Sequence, residues 1–170
     1  MTTATLVRPE RQATGRFELW LAEHGVPYEV AEGAPSTPWN ADDEPPLAKT
    51  ITVIDDQANP HLLVLDADAC LDLGVAAQAL NRRWLTILGG SDQPGRVIGH
   101  QLEPLAPVEL LCGFPIHADE AIAAYLTLTV AMGGGRRVTF SRAAWERAAA
   151  IRYSRLTADC RDVLEPIEWY

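Results

Sequence analysis

Lys49 is the one lysine in a chain whose other thirteen basic residues are arginines. A sequence that turns to arginine wherever any cation suffices, yet keeps one lysine, points to a need for a compact ammonium with rotatable donors. An unperturbed lysine titrates near about 10.4, so Lys49 is expected to be a cation at neutral pH, suited to an oxyanion or a phosphate rather than to a base. His100 and Glu103 lie in the loop-rich passage 91–107, with Gly95, Gly99, Pro94, Pro104 and Pro107 around them. Long loops of this kind carry function more often than packing, and both side chains are of the types that position water.

Other residue groups carry weaker chemistry. Cysteines 70, 112 and 160 are odd in number and far apart, matching neither a zinc pair nor a redox CxxC, so reduced, buried thiols in a cytosol are expected. Gly133, Gly134 and Gly135 precede Arg136 and Arg137 but belong to no GxxxxGK[ST] pattern, so they read as a hairpin turn. His24, His61 and His117 are widely separated and show no ligand spacing with a cysteine, so no metal is expected. The segment 136–161 holds seven arginines against Glu146 and Asp159, a balance of +5, while the rest carries −14 of the net −9. That distribution excludes a chain wrapped by nucleic acid over its whole surface and leaves room for a local phosphate-facing patch.

These residues must be positioned by recognisable elements. Phe17, Trp20, Leu21 and His24 recur at helical spacing before Gly25, predicting a helix over 14–24, followed by a strand over 26–30. Lys49 opens the apolar run Ile51, Val53, Ile54, which turns over 55–60 and returns over 61–65 as a β-hairpin. A helix over 71–80 and a strand over 84–88 follow, then short strands at 108–111 and 114–116. Asp119 and Glu120 read as caps of a short helix. Strands at 125–132 and 137–140 form a second hairpin, and Ser141 caps a helix carrying Trp145. Hairpins with few helices between them predict an α/β (α+β) fold: a mixed, mostly antiparallel sheet with barrel-like curvature and helices packed outside it.

Four stretches in this order resemble the YbaK and prolyl-tRNA-synthetase-associated editing domain family: HGVPYEV at 24–30, AKTITV at 48–53, LVLDADACLDLGVAAQAL at 63–80 and TVAMGGGRRVTFSRAAWERAA at 129–149. The resemblance implies a trans-editing aminoacyl-tRNA deacylase that hydrolyses the ester of a small mischarged amino acid. Its implied partners are the aminoacylated acceptor end of tRNA and an aminoacyl-tRNA synthetase, with no cofactor. It implies that Lys49 lines the pocket and that a GxxxP loop presents backbone N–H groups to the oxyanion. Gly99 and His100 then join Lys49 as catalytic candidates, with Gln101, Glu103, Pro104, Gly134 and Arg136 on the substrate side. The loop here, GHQLEP at 99–104, has four residues between glycine and proline where the family has three, or else His100 replaces the glycine, and the segment before Lys49 is Pro-rich where the family has a helix. A binding module of the same fold without catalysis, or a hydrolase of another small acyl ester, is the alternative.

At 170 residues, 48% of them hydrophobic and 22% charged, the chain is the size of one packed domain. The expected organisation is a flexible tail at 1–13, one editing-type domain at 14–152 and a C-terminal extension at 153–170. The longest apolar stretch, 121–132, is shorter than the ~20 residues of a membrane helix. No membrane partner and a cytoplasmic location are expected.

Overall fold

The computed structural model describes residues 15–32, 46–88, 105–132 and 136–158. Helix α1 (Arg16–Glu23) leads into β1 (Tyr28–Ala31); β2 (Leu47–Asp55) and β3 (Pro60–Asp66) form a hairpin; β4 (Cys70–Leu71), α2 (Leu73–Ala79) and β5 (Leu85–Ile87) follow. The second half holds α3 (Glu109–Cys112), β6 (Ile116–Asp119), a 3-10 helix (Glu120–Ala124), β7 (Thr127–Ala131), β8 (Arg137–Ser141), α4 (Arg142–Ala149), β9 (Arg152–Ser154) and β10 (Thr157–Ala158).

Eight strands join in the order β1-β8-β7-β2-β3-β6-β9, with β5 on the other part of β2, and β10 pairs β4 separately. The β1–β8, β2–β3, β2–β5 and β7–β8 pairs are antiparallel, while β2–β7, β3–β6 and β6–β9 are parallel. The fold is therefore α+β around a mixed, mostly antiparallel sheet, as the hairpin pattern predicts.

Alternation along the central hairpin divides the interior in two. Leu62 and Val64 face one side, packing with Ala48, Phe17 and Leu21 of α1, Leu128, Phe140 and Trp145 of α4. Val53, Leu63 and Leu65 face the other, against Ala76 and Ala77 of α2, Leu85 and Leu156. Ile51 packs on this second side, and the two-residue period sets Lys49 there too. Trp145, fully buried, donates its Nε1–H to the Pro107 carbonyl at 2.8 Å and meets Phe140 edge-on, so its polar end is satisfied in the core.

Helix boundaries follow local chemistry. Asp72 caps α2 by accepting from Gly74 and Val75, and Ser141 Oγ accepts from Ala144 N at the start of α4. Asp119 caps the 3-10 helix through Ala121 N, in agreement with its reading as a structural acid. A strand over 108–111 is not present: those residues form the single turn α3, ended by Gly113 at φ +79. The four residues Val-Glu-Leu-Leu are too few positions to separate the two periods, and Leu110 is 79% exposed. The next strand also begins later, at Ile116.

The stretch 153–170, set apart as an extension, contributes the last strands. Residues 152–154 of β9 lie parallel to β6, and Thr157 and Ala158 of β10 pair with Leu71 and Cys70. Cys70 is disulfide-bonded whereas Cys112 is free. This corrects the expectation of three reduced thiols. Pairing rules read from spacing alone miss a bond that β-ladder contacts between distant segments make possible.

Candidate functional site

Lys49 is the third residue of β2, in register with Leu65 of β3. Beyond Leu65 the chain leaves the hairpin through an Asx turn: Asp66 Oδ1 accepts from Asp68 N at 2.9 Å, Asp66 O accepts from Ala69 N at 3.0 Å, and Ala67 N donates back to Leu47 O at 2.8 Å. This turn presents two carbonyl oxygens to the lysine. Lys49 Nζ donates to Ala67 O at 3.1 Å and to Ala69 O at 2.6 Å. An ammonium has three N–H donors, and two of them are engaged among the described residues. The lysine is thus part-buried and held as a double donor on the backbone of this turn.

The same turn holds a second side chain. Tyr125 donates its hydroxyl to Asp66 Oδ2 at 2.7 Å. That bond, with burial and the charges of Asp66, Asp119 and Asp68, pushes the Tyr125 phenol up to about 12. Tyr125 was not a sequence candidate. The signal available was the Asp-Ala-Asp run at 66–68, dense in turn-forming acids.

Arg136, the other candidate within the described residues, is engaged elsewhere. Its Nε lies 2.7 Å from Oε1 of Glu18, a carboxylate wholly buried in α1. The contact is an ion pair without well-directed hydrogen bonding. Gly15, the N-cap of α1, is pressed close: a Cβ there would lie 2.0 Å from Glu18 Oε2. Arg136 thus belongs to the α1 side of the molecule, and no hydrogen bond or ion pair joins it to Lys49. Gly99, His100, Gln101, Glu103, Pro104 and Gly134 lie outside the described residues.

The arginine-rich segment separates into two kinds. Arg142 is internal, with Nε on the Tyr125 carbonyl at 2.6 Å and Nη1 on the Tyr153 hydroxyl and Glu146. Arg147, Arg152 and Arg155 are exposed. Of the six arginines of this segment among the described residues, these three are exposed, while Arg136, Arg137 and Arg142 are half-buried.

A third group of polar residues occupies the far part of the central hairpin. Asp55 is buried; its Oδ1 accepts from Gln57 N and Asn59 N, both at 2.9 Å, and its Oδ2 meets His61 Nε2 at 2.9 Å and Arg82 Nε at 3.0 Å. Burial alone would raise the Asp55 carboxyl, but His61, the two backbone donors and Arg82 outweigh it and hold the group well below the usual carboxylate range. The His61 and His117 rings are 5.5 Å apart. Burial, then the charges of His61 and Arg152, lower His117 to about 4.

Among known proteins, no family model and no curated protein matches the sequence. Solved structures do match. One, described as "a putative trans-editing enzyme for prolyl tRNA synthetase", superposes with a TM-score of 0.59 at 16% identity over 84% of this chain and 94% of its own. A hypothetical protein superposes with a TM-score of 0.64 at 16% identity, covering 83% of this chain and 98% of that one. A signal-transduction protein from Marinobacter aquaeolei VT8, itself so described with the word "putative", gives 0.63 at 14% identity over 86% of this chain, which spans 31% of that longer protein. The chain shares their fold. At these identities the likeness carries the architecture and leaves activity open. Among the described residues no helix is long and apolar enough to cross a membrane.

Proposed function

We propose that the chain is an aminoacyl-tRNA deacylase that hydrolyses the ester of a small amino acid wrongly attached to tRNA. The observation that carries this reading is the double anchoring of Lys49 Nζ on the Ala67 and Ala69 carbonyls. It holds in a defined position the ammonium of the residue that the family resemblance assigns to the substrate pocket. The fold shared with the trans-editing protein supports the same reaction class. In this scheme Lys49 holds an ester or phosphate oxygen of the substrate, and backbone N–H groups of 99–104 receive the oxyanion. His100, with Gln101, Glu103 and Pro104 around it, lines the reacting end, and the substrate's own hydroxyl or amino group assists the water. Gly134 and Arg136 lie on the substrate side, and the exposed Arg147, Arg152 and Arg155 supply the phosphate contacts of the arginine-rich segment. The implied partners are charged tRNA and a synthetase. The cytoplasm is the compartment that such a function requires; the Cys70 disulfide, a bond more at home in oxidising surroundings, stands against it.

The altered spacing of GHQLEP favours a second reading, a tRNA-binding module without catalysis, since one inserted residue can turn amide donors away from the oxygen they must meet. Incubation with tRNAs charged with alanine, cysteine, serine, threonine or proline separates the two. Deacylation that falls at least a hundredfold in Lys49→Ala supports the enzyme. Salt-sensitive tRNA binding with no deacylation supports the module, and deacylation untouched by Lys49→Ala defeats the proposed role of the lysine.

A further inference from the structure

His61 and His117 are 56 residues apart in sequence, yet β3 and β6 are adjacent parallel strands with Leu63 opposite His117. The two-residue period then brings both histidines to one face as diagonal neighbours. Their rings are 5.5 Å apart and tilted by 49°. His61 is only 6% exposed, and its Nε2 meets the Asp55 carboxylate at 2.9 Å. A carboxylate only accepts, so in the neutral ring the proton sits on Nε2 and Nδ1 carries the lone pair. That buried Nδ1 has no hydrogen-bond partner among the described residues, nor has either ring nitrogen of His117.

We propose that His61 and His117 form a two-histidine site for a divalent transition-metal ion of the zinc, nickel or copper class, with Asp55 as the carboxylate behind His61. Two imidazoles whose nitrogens sit about 2.0–2.1 Å from one tetrahedral ion have ring centres roughly 5–6 Å apart, which is the separation seen. A carboxylate on the far nitrogen of a ligating histidine orients the ring and strengthens it as a donor. Imidazole suits zinc, nickel and copper. No set of three or more His, Cys, Asp or Glu side chains converges among the described residues, so these residues supply two ligands and water or a small ligand would complete the coordination. Arg82 is balanced by Asp55 at 3.0 Å. Arg152, across the ladder from His117, is exposed and screened by water. Such surroundings disfavour magnesium and calcium, which are bound through charged and carbonyl oxygens, over ions bound through a nitrogen lone pair. The site is independent of the deacylase reading: Asp55 is six residues along β2 from Lys49, roughly 20 Å at strand rise.

The test is calorimetric titration of the full chain, stripped with chelator, with Zn2+ and separately with Mg2+. The expected result is one equivalent of Zn2+ bound with micromolar affinity, no Mg2+ binding, and at least a tenfold loss of Zn2+ affinity in His117→Ala and in the bulkier His117→Phe. Asp55→Asn should weaken binding about tenfold to a hundredfold, and His24→Ala should leave it unchanged; circular dichroism confirms that each variant is folded. Absence of Zn2+ binding at millimolar concentration, or binding indifferent to both His117 variants, overturns the site.

Discussion

Lys49 Nζ and the Ala69 carbonyl oxygen are 2.6 Å apart, so the single lysine of the chain is tied to the backbone of a turn that directly precedes a disulfide-bonded cysteine. A lysine at a strand start would by default trail into solvent. Here a compact ammonium reaches two carbonyls at once, a geometry that a planar guanidinium reproduces poorly. Lys49→Arg should therefore behave like Lys49→Ala, losing at least a hundredfold in deacylation. Both variants should remain folded, with a stability change on the order of 1 kcal/mol for the exchanged hydrogen bonds. Activity and denaturant midpoints measured side by side check this; full activity in the arginine variant would count against it.

The Tyr125–Asp66 hydrogen bond should be visible as a delayed ionisation. A phenol raised to about 12 keeps its proton longer in the folded chain than in the unfolded one. Its contribution to stability is then whole below about pH 10 and drains away as the pH climbs from about 10 towards about 12. Ultraviolet titration of the four tyrosines should show a late step that Tyr125→Phe abolishes. That variant should cost about 1 kcal/mol near neutrality.

Acid should act in two stages. His117, lowered to about 4 by burial and by the neighbouring His61 and Arg152, stays neutral in the fold while the unfolded chain takes a proton below about 6.5. Stability from this group is present above that value and is lost as the pH falls to about 4, on the order of 1–2 kcal/mol once solvent screening of the half-buried ring is allowed for. Asp55, held below the usual range, adds a second loss at lower pH still, where its hydrogen-bonded carboxylate is finally protonated. Urea midpoints of chelator-treated protein between pH 7 and 3 should fall in these two windows, and His117→Gln should flatten the first.

Reduction should weaken the region around Cys70. Removing a native disulfide typically costs about 2–4 kcal/mol, so dithiothreitol or Cys70→Ser should lower the unfolding midpoint. A non-reducing peptide map identifies the partner cysteine. Unchanged midpoints in both would show that the bond does not form in solution.

Much of the fold was legible because its signals are local. The alternation of Ile51, Val53, Leu63 and Leu65 marks the central hairpin, and Ser141 before an alanine-rich run marks α4. What escaped depends on distant segments meeting. Leu110 and Leu111 read as strand in a string of letters but form one helical turn, with Leu111 packed on the core and Leu110 exposed. β9 and β10 are two or three residues long, and pairing with β6 and β4 defines them where their own propensity does not. At the candidate site, composition singled out Lys49, whereas its acceptors are backbone carbonyls, which every residue possesses and no sequence pattern distinguishes. His61 and His117 escaped for the same reason: only the parallel β3–β6 register makes them neighbours.

The late position of β10 bears on how the chain matures. Leu156 O accepts from Asp72 N, and Thr157 and Ala158 pair with Leu71 and Cys70, closing the segment that directly follows the lysine's acceptors. Contacts of such long sequence separation form slowly. During synthesis on the ribosome, residues 48–80 emerge well before their partners at 156–158, so the segment after the ammonium's acceptors is paired only once that later stretch has been translated. A nascent chain would thus form the central hairpin before it completes the surroundings of Lys49.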